Sequence, residues 1–225
     1  MKIGTYAYTF DDLFIRPKFS TVESRDDVSV ATQFTKNFKL AIPIVASPMD
    51  TVCDWRTAAA LAKLGGVGII HRFMSIEDQV SNVLLAQQES PSFSISSAAI
   101  GVNGDFEKRA AELVKNGVHV LVIDVAHGHH RHVKNAMKYL FQYKQNGVDI
   151  VAGSIATADA AMDLTEWGAD ALRVGVGGGS VCETRVRTGV GVPQLQSVIE
   201  TSKASNIPII SDGGIRYPGD AAKAL

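Results

Sequence analysis

The sequence predicts an α/β protein that folds as a TIM, or (β/α)8, barrel truncated after about seven β/α units. Short apolar runs alternate with amphipathic stretches of helical period along the whole chain. Such alternation is typical of a parallel sheet. The runs are apolar throughout, as expected for strands buried on both faces. Polar or glycine-rich residues follow six of the seven runs.

Each predicted unit pairs one strand with the helix that follows it. In chain order the strand and helix ranges are 42–46 with 54–64, 67–70 with 76–88, 94–101 with 105–116, 118–124 with 130–143, 149–152 with 158–167, 171–175 with 193–204, and 207–211 with a helix near Pro218. Four helices are predicted to stop at a glycine, which tolerates the left-handed cap conformation. These glycines are Gly65, Gly117, Gly147 and Gly168.

A doubly wound open sheet is the alternative architecture. In an open sheet only the loops at the switch point converge on one site, whereas in a barrel all strand ends open on one mouth. Polar loops after the first, second, fourth, fifth, sixth and seventh strands favour the barrel. We expect residues 41–225 to form a barrel without its eighth unit and residues 1–40 to pack on it. A longer protein or another chain would complete the barrel.

Composition narrows the functional classes. The 225 residues carry a net charge of -1 and include two cysteines. This charge gives no basic field for nucleic acid. No apolar run approaches the ~18 residues that span a bilayer, and acidic residues stand where a signal peptide needs its apolar stretch. We therefore expect a cytoplasmic protein that binds neither nucleic acid nor membrane and whose cysteines are thiols.

The segment after the sixth strand is the richest in chemistry. It reads Gly175-Val-Gly-Gly-Gly-Ser-Val-Cys-Glu-Thr-Arg185. Consecutive glycines can turn several N–H groups inward to bind a phosphate, and Ser180 adds a hydroxyl. Arg185, Arg187 and these N–H groups would lower the pKa of the Cys182 thiol. A thiolate beside a bound nucleotide suggests covalent attack on the base; the alternative is an inert buried cysteine, the reading favoured for Cys53.

Two further strand ends carry candidate site residues. After the seventh strand, Asp212 could bind ribose hydroxyls, with Gly213 and Gly214 close to a phosphate, or it could cap the next helix. After the fourth strand, Asp124 is a candidate for the barrel mouth. The histidines that follow it resemble a metal-binding cluster. Zinc sites usually combine a defined spacing with thiolate or carboxylate ligands, which are missing here, so a metal site is the less favoured alternative. They are His127, His129, His130 and His132.

Together these segments resemble the IMP dehydrogenase/GMP reductase family over nearly the whole chain. The resemblance rests on five motifs in family order. They are Ser47-Pro-Met-Asp-Thr-Val52, Gly65-Gly-Val-Gly-Ile-Ile-His-Arg72, Asp124-Val-Ala-His-Gly-His129, the segment 177–184, and Ser211-Asp-Gly-Gly-Ile-Arg216.

The resemblance implies roles for the matching residues. Cys182 would attack C2 of the purine, and Thr184 would assist proton transfer beside it. The other assignments follow the family pattern. They are Ser47, Met49, Ser180, Asp212, Gly213 and Gly214 for the substrate, Asp124, Ala126, His127 and Arg173 for the cofactor, and the carbonyls of Gly177, Gly179 and Cys182 for a monovalent cation such as K⁺.

The family contains two activities, and this sequence leans toward GMP reductase, which converts GMP and NADPH to IMP, ammonia and NADP. Segments 15–18, 24–27 and 180–191 with 193–195 are close to reductase sequences, and the 89–93 junction is too short for the regulatory CBS pair that dehydrogenases usually carry. The alternative is IMP dehydrogenase with NAD, which Ser47-Pro48 and Val192-Pro193 favour. A non-catalytic nucleotide-binding module and, more weakly, a flavin-dependent barrel oxidase stay open. The resemblance also implies a homo-oligomer, typically a tetramer.

Overall fold

The computed structural model describes residues 6–90, 95–179 and 182–225, and within them a parallel sheet curls into a nearly closed barrel. Each strand pairs with the next in chain order, which confirms the barrel and rules out the doubly wound sheet. The seven strands are β3 (Val45–Ala46), β4 (Val67–Ile70), β5 (Ser97–Ile100), β6 (Val120–Asp124), β7 (Asp149–Ile155), β8 (Ala171–Val174) and β9 (Ile209–Ser211).

Helices alternate with these strands, as predicted. They are α1 (Trp55–Lys63), α2 (Ile76–Glu89), α3 (Phe106–Lys115), α4 (Arg131–Leu140) with a 3-10 turn Phe141–Asn146, α5 (Ala158–Glu166), α6 (Glu183–Thr188), α7 (Gln194–Ala204) and α8 (Pro218–Ala224). The four glycines predicted to stop helices all have positive φ. Helix α6 was not predicted, because the sequence pattern indicates a helix after the sixth strand only from about residue 193. A helix this short beside a glycine-rich loop does not show a helical period of apolar residues.

Alternate residues of each strand pack into two apolar layers, one on each face of the sheet. One face of each strand packs against the helices, in a cluster that includes Leu121, Ile123 and Leu172. The opposite face fills the barrel interior, where Val120 and Val122 meet Val151 and Ala171. Side chains on successive strand residues point to opposite faces, so these alternate assignments also fix which polar residues reach the mouth of the barrel.

An antiparallel hairpin closes the end of the barrel where the strands begin. It consists of β1 (Thr32–Gln33) and β2 (Lys39–Leu40), preceded by a 3-10 turn at Arg25–Asp27. Phe34 and Leu40 pack into the interior layer. Asp149 is buried and accepts hydrogen bonds from Thr35 Oγ1 at 2.5 Å and from Asn37 Nδ2 at 2.7 Å.

Two further features concern the exposure of the N-terminal segment and the character of the helices. Residues 14–31 are exposed at every position, and Phe14 and Phe19 are more than 85% accessible, at 90% and 94%. Among the described residues, no helix has the length and apolar character needed to cross a bilayer.

Candidate active site

Four polar side chains converge at the carboxyl end of the barrel because they continue the interior rows of their strands. Asp124 shares a face with Val120 and Val122. Arg173 lies two residues after Ala171 on the same strand face. Ser47 follows β3 and Asp212 follows β9. Each lies two residues after a strand residue that packs in the barrel interior. The period of two along a strand therefore brings residues from four strands to one mouth.

Arg173 connects two carboxylates across this mouth. Its Nη1 donates to Asp124 Oδ1 at 2.7 Å and its Nε donates to Asp212 Oδ2 at 2.9 Å. The residue is 9% exposed. Burial alone would lower the pKa of this guanidinium, but Asp212 and Asp124 outweigh it and raise the pKa. Ser47 Oγ donates to the other oxygen of Asp212 at 2.6 Å, so each oxygen of that carboxylate accepts one hydrogen bond.

Cys182 lies immediately before α6, and its side chain is only partly buried. Its side chain forms no capping hydrogen bond with α6. The backbone N–H of Arg185 nevertheless contributes most to lowering the pKa of this thiol. Thr184, through its amide and its hydroxyl, and the amide of Gly177 lower the pKa further, against a smaller opposing effect of burial. The environment therefore favours a thiolate, which is the reactive form of cysteine.

Two glycine turns meet beside this cysteine. A Cβ added at Gly213 would lie 3.6 Å from the Cα of Gly179, and one added at Gly214 would lie 3.0 Å from the carbonyl oxygen of Gly178. Gly213 and Gly214 also have positive φ, at 87° and 76°, a region that L side chains rarely adopt. The loops after β8 and β9 thus pack backbone against backbone, as expected of a loop pair that surrounds a phosphate.

Comparison with known proteins identifies the family. The model of the IMP dehydrogenase/GMP reductase domain matches residues 7–225. The chain belongs to the IMP dehydrogenase/GMP reductase family.

Relatives within the family carry both activity names. An inosine-5'-monophosphate dehydrogenase of Cryptosporidium parvum is 39% identical over 96% of this chain and 64% of its own length. A GMP reductase of Enterobacter sp. strain 638 is also 39% identical, again over 96% of this chain and 64% of its own length. A crystal structure of a cysteine-to-alanine variant of GMP reductase from Trypanosoma brucei superposes with a TM-score of 0.90 at 28% identity, covering 98% of this chain and 80% of the other.

The remaining residues expected from the family pattern lie around the same mouth. Met49 follows β3 and is 46% exposed. Ala126 and His127 follow β6 and are exposed. The carbonyl of Gly179, one of the three expected cation ligands, accepts a hydrogen bond from the Cys182 amide at 3.3 Å. Ser180 lies outside the described residues.

Three alternatives raised by the sequence can be compared with the structure. Asp212 does not cap the next helix, because its carboxylate is bonded to Ser47 and Arg173 and α8 begins only at Pro218. The described residues contain no group of three His, Cys, Asp or Glu side chains placed to hold a metal ion. Cys53 is fully buried, and this burial, followed by the charge of Asp54, raises the pKa of its thiol to about 12. Its burial agrees with its interpretation as an inert cysteine.

Sequence reasoning assigned no role to two residues that the structure places at the site. Arg72, after β4, donates through Nε to the carbonyl of Asp124 at 3.2 Å and lies 3.6 Å from its carboxylate. Its position at the end of a predicted strand is the sequence feature that could have identified it as a site residue. Gln194, the first residue of α7, is buried between the glycine turns. Nothing in the sequence distinguished it from an ordinary helix residue.

Proposed function

We propose that the chain carries the catalytic centre of a purine nucleotide oxidoreductase that acts at C2 of the base through a covalent bond to Cys182, and that its reaction is the reduction of GMP to IMP. The observation that carries the proposal is the partly exposed Cys182 thiol with a lowered pKa. Family membership supplies the reaction class. The chain spans 64% of the two relatives described above, and the complete protein's activity is part of the proposal.

The proposed chemistry begins with the thiolate. The sulfur of Cys182 adds to C2 of GMP and forms a carbon–sulfur bond. The exocyclic amine takes a proton and leaves as ammonia, and the Thr184 hydroxyl, which contributes to lowering the pKa of the thiol, would relay that proton. The nicotinamide cofactor, when bound, supplies the hydride that takes the place of the amine at C2. The carbon–sulfur bond then breaks, and its electron pair returns to Cys182 as thiolate.

The substrate would be held at both ends. The turns at Gly178–Gly179 and Gly213–Gly214, which contact each other, would present backbone N–H groups to the 5′-phosphate. Ser180 would add its hydroxyl, as the family resemblance implies. Asp212, held by Arg173 and Ser47, would accept hydrogen bonds from the ribose hydroxyls. Ser47 and Met49 complete this side of the mouth.

The cofactor would lie on the other side of the mouth. Asp124 keeps acceptor capacity for ribose hydroxyls, since a carboxylate offers about four lone-pair sites, and Arg173 and Arg72 balance its charge. Ala126 and His127 are exposed next to it. Arg173 would act on the cofactor through Asp124, whose carboxylate accepts a hydrogen bond from Arg173 Nη1 at 2.7 Å. NADPH is the proposed donor, with NAD as the alternative.

A monovalent cation such as K⁺ would take the carbonyls of Gly177, Gly179 and Cys182. Carbonyl oxygens are ligands that suit such hard cations. The Gly179 carbonyl already accepts one hydrogen bond and has a second lone pair. This donor set fits the ion.

The test is a spectrophotometric assay of the full-length protein. We expect loss of NADPH absorbance on adding GMP, with release of ammonia, and no loss in Cys182→Ala. A protein that instead forms NADH from IMP would be an IMP dehydrogenase, a candidate favoured by the equal 39% identity to a dehydrogenase. Binding of GMP without turnover, unaffected by Cys182→Ala, would favour the non-catalytic module.

The short connection between α2 and β5 supports the reductase. Helix α2 ends at Glu89 and β5 starts at Ser97, which leaves no room for an inserted domain. We further propose a cytoplasmic homotetramer, which light scattering coupled to size-exclusion chromatography would test through the mass of the particle.

A further inference from the structure

Residues 14–31 form an N-terminal arm that connects two segments fixed to the barrel. Before the arm, Phe10 is 3% exposed and Arg216 Nη2 donates to Asp11 Oδ1 at 2.6 Å. After the arm, Thr32 begins the hairpin that closes the barrel. The arm itself is exposed at every position and contains only one 3-10 turn within its length. A connection this long with so little secondary structure is uncommon in a compact domain and usually serves a function or is disordered.

The arm presents large apolar side chains to solvent along one continuous segment. Phe14 is 90% exposed and Phe19 is 94% exposed. Lys223 Nζ lies 5.5 Å from the centre of the Phe14 ring but leaves it uncovered. Single apolar residues scattered over a surface are normal, whereas a contiguous group of them marks an interaction site. The other large apolar side chains of the arm, each half or more exposed, are Ile15, Val22, Val28 and Val30.

Short-range hydrogen bonds shape the backbone of the arm. The hydroxyls of Ser20, Ser24 and Ser29 each accept from the amide two residues later. Asp27 accepts from the Ser24 amide at 3.0 Å and completes a capping box. The apolar side chains take no part in these bonds, so they are available to contact another surface.

The charges of the arm are distributed so that it complements itself. Its first half carries Arg16 and Lys18 and no acid, whereas its second half is net negative through Glu23, Asp26 and Asp27. A two-fold axis through the middle of the arm would bring two arms together in opposite directions, so that the basic half of each meets the acidic half of the other. The arm as a whole is neutral, which favours neither an anionic membrane nor nucleic acid as its partner.

We propose that the N-terminal arm is a self-association surface that packs antiparallel against the arm of a second copy of this chain. Phe14 and Phe19 alone would bury roughly 300–500 Å² on each copy, toward the ~800 Å² per partner of a standard interface. The inference rests on the proposed function in one respect, because it names one of the interfaces that the proposed homotetramer needs. It involves no step of the proposed reaction.

The first test places the photo-crosslinking residue p-benzoylphenylalanine at position 19 of the full-length protein. Isotope-labelled and unlabelled copies are mixed and irradiated, and the crosslinked peptides are identified by mass spectrometry. We expect peptides that join the arm of a labelled copy to the arm of an unlabelled copy. The same residue at position 141, where Phe141 is 57% exposed on the barrel, is the control and should give no crosslink to the arm. Crosslinks that stay within one copy, or that reach only surfaces outside the arm, would overturn the proposal.

The second test uses charge reversal, followed by sedimentation equilibrium at low salt. Arg16→Glu with Lys18→Glu makes both halves of the arm negative, and Glu23→Lys with Asp26→Lys makes both halves positive. Each double variant should associate at least about tenfold more weakly than wild type, because like charges then face each other. An equal mixture of the two should associate as wild type does, since opposite charges again meet.

The outcomes of the second test separate the arm from the proposed oligomer. Lys108→Glu with Lys138→Glu, which reverses two exposed charges on α3 and α4, is the control and should associate as wild type does. Circular dichroism should show folded protein in every variant, because the changed side chains are exposed. A multimer that the arm variants leave unchanged, or a mixture no tighter than its components, contradicts this inference alone. A monomeric wild type contradicts the proposed homotetramer as well.

Discussion

Ser47 and Asp212 share a 2.6 Å hydrogen bond across 165 positions of sequence. Ser47 follows β3 and Asp212 follows β9, the first and last strands of the described parallel sheet. The bond therefore shows that the sheet curls until its two outer strands face each other. The same bond, together with Arg173, holds Asp212 at the mouth of the barrel, so one contact links the outer strands of the sheet to the candidate site.

The two cysteines should differ sharply in reactivity. The pKa of Cys182 is lowered, so its thiolate fraction at a given pH exceeds that of an ordinary thiol, and its alkylation should begin at lower pH than in the unfolded chain. Cys53, with a pKa raised to about 12 and no exposed surface, should stay unmodified in the folded protein. Peptide mapping after iodoacetamide treatment at neutral pH measures both. Equal labelling of the two sites would contradict the assignment.

Arg173→Met should destabilise the fold strongly. The substitution leaves Asp124 and Asp212 without their main counter-charge in a largely buried site, which typically costs about 3–5 kcal/mol. Urea unfolding measures the free energy. Arg56→Met is the control, because that guanidinium pairs with Asp54 at 2.9 Å but is 71% exposed, so its loss should cost less than about 1 kcal/mol. Similar losses in both variants would show that burial of the Arg173 cluster contributes little.

The alternation of short apolar runs with amphipathic stretches made much of this architecture predictable. The apolar runs predicted the strands, the glycines predicted helix ends, and Asp124 and Asp212 were placed at the mouth because they end strands. Helix α6 could not be predicted, because six residues are too few to show a helical period. The burial of Gln194 was equally hidden, because it results from glycines 16 to 20 residues away in sequence coming together in space.

Asp149→Ala should loosen the hairpin that closes the barrel. Asp149 accepts the Thr35 hydroxyl and both the main-chain and side-chain N–H of Asn37. Its loss leaves the hydroxyl of the buried Thr35 unpaired, at a cost of about 1–3 kcal/mol, whereas the exposed Asn37 can bond to water. Hydrogen exchange should accelerate in residues 32–40. Asp163→Ala, which removes a 48% exposed carboxylate bonded to His129, should leave that hairpin unchanged. Unaltered exchange in Asp149→Ala would show that apolar packing of Phe34 is sufficient.

Gly68→Ala should separate β4 from α1. A Cβ there would lie 2.7 Å from the Cα of Ala58 and 2.8 Å from the Cys53 sulfur, and the helix backbone cannot yield as a flexible side chain would. Overpacking of this kind typically costs about 1–3 kcal/mol. Thermal unfolding should therefore show a clear loss for Gly68→Ala, whereas Gly219→Ala, with open space around the added methyl, should be nearly neutral. Because displacement of α1 also opens the cover over Cys53, that thiol should become alkylated in Gly68→Ala while staying protected in wild type. A stable Gly68→Ala protein with an unreactive Cys53 would mean that α1 and β4 lie farther apart than these distances require.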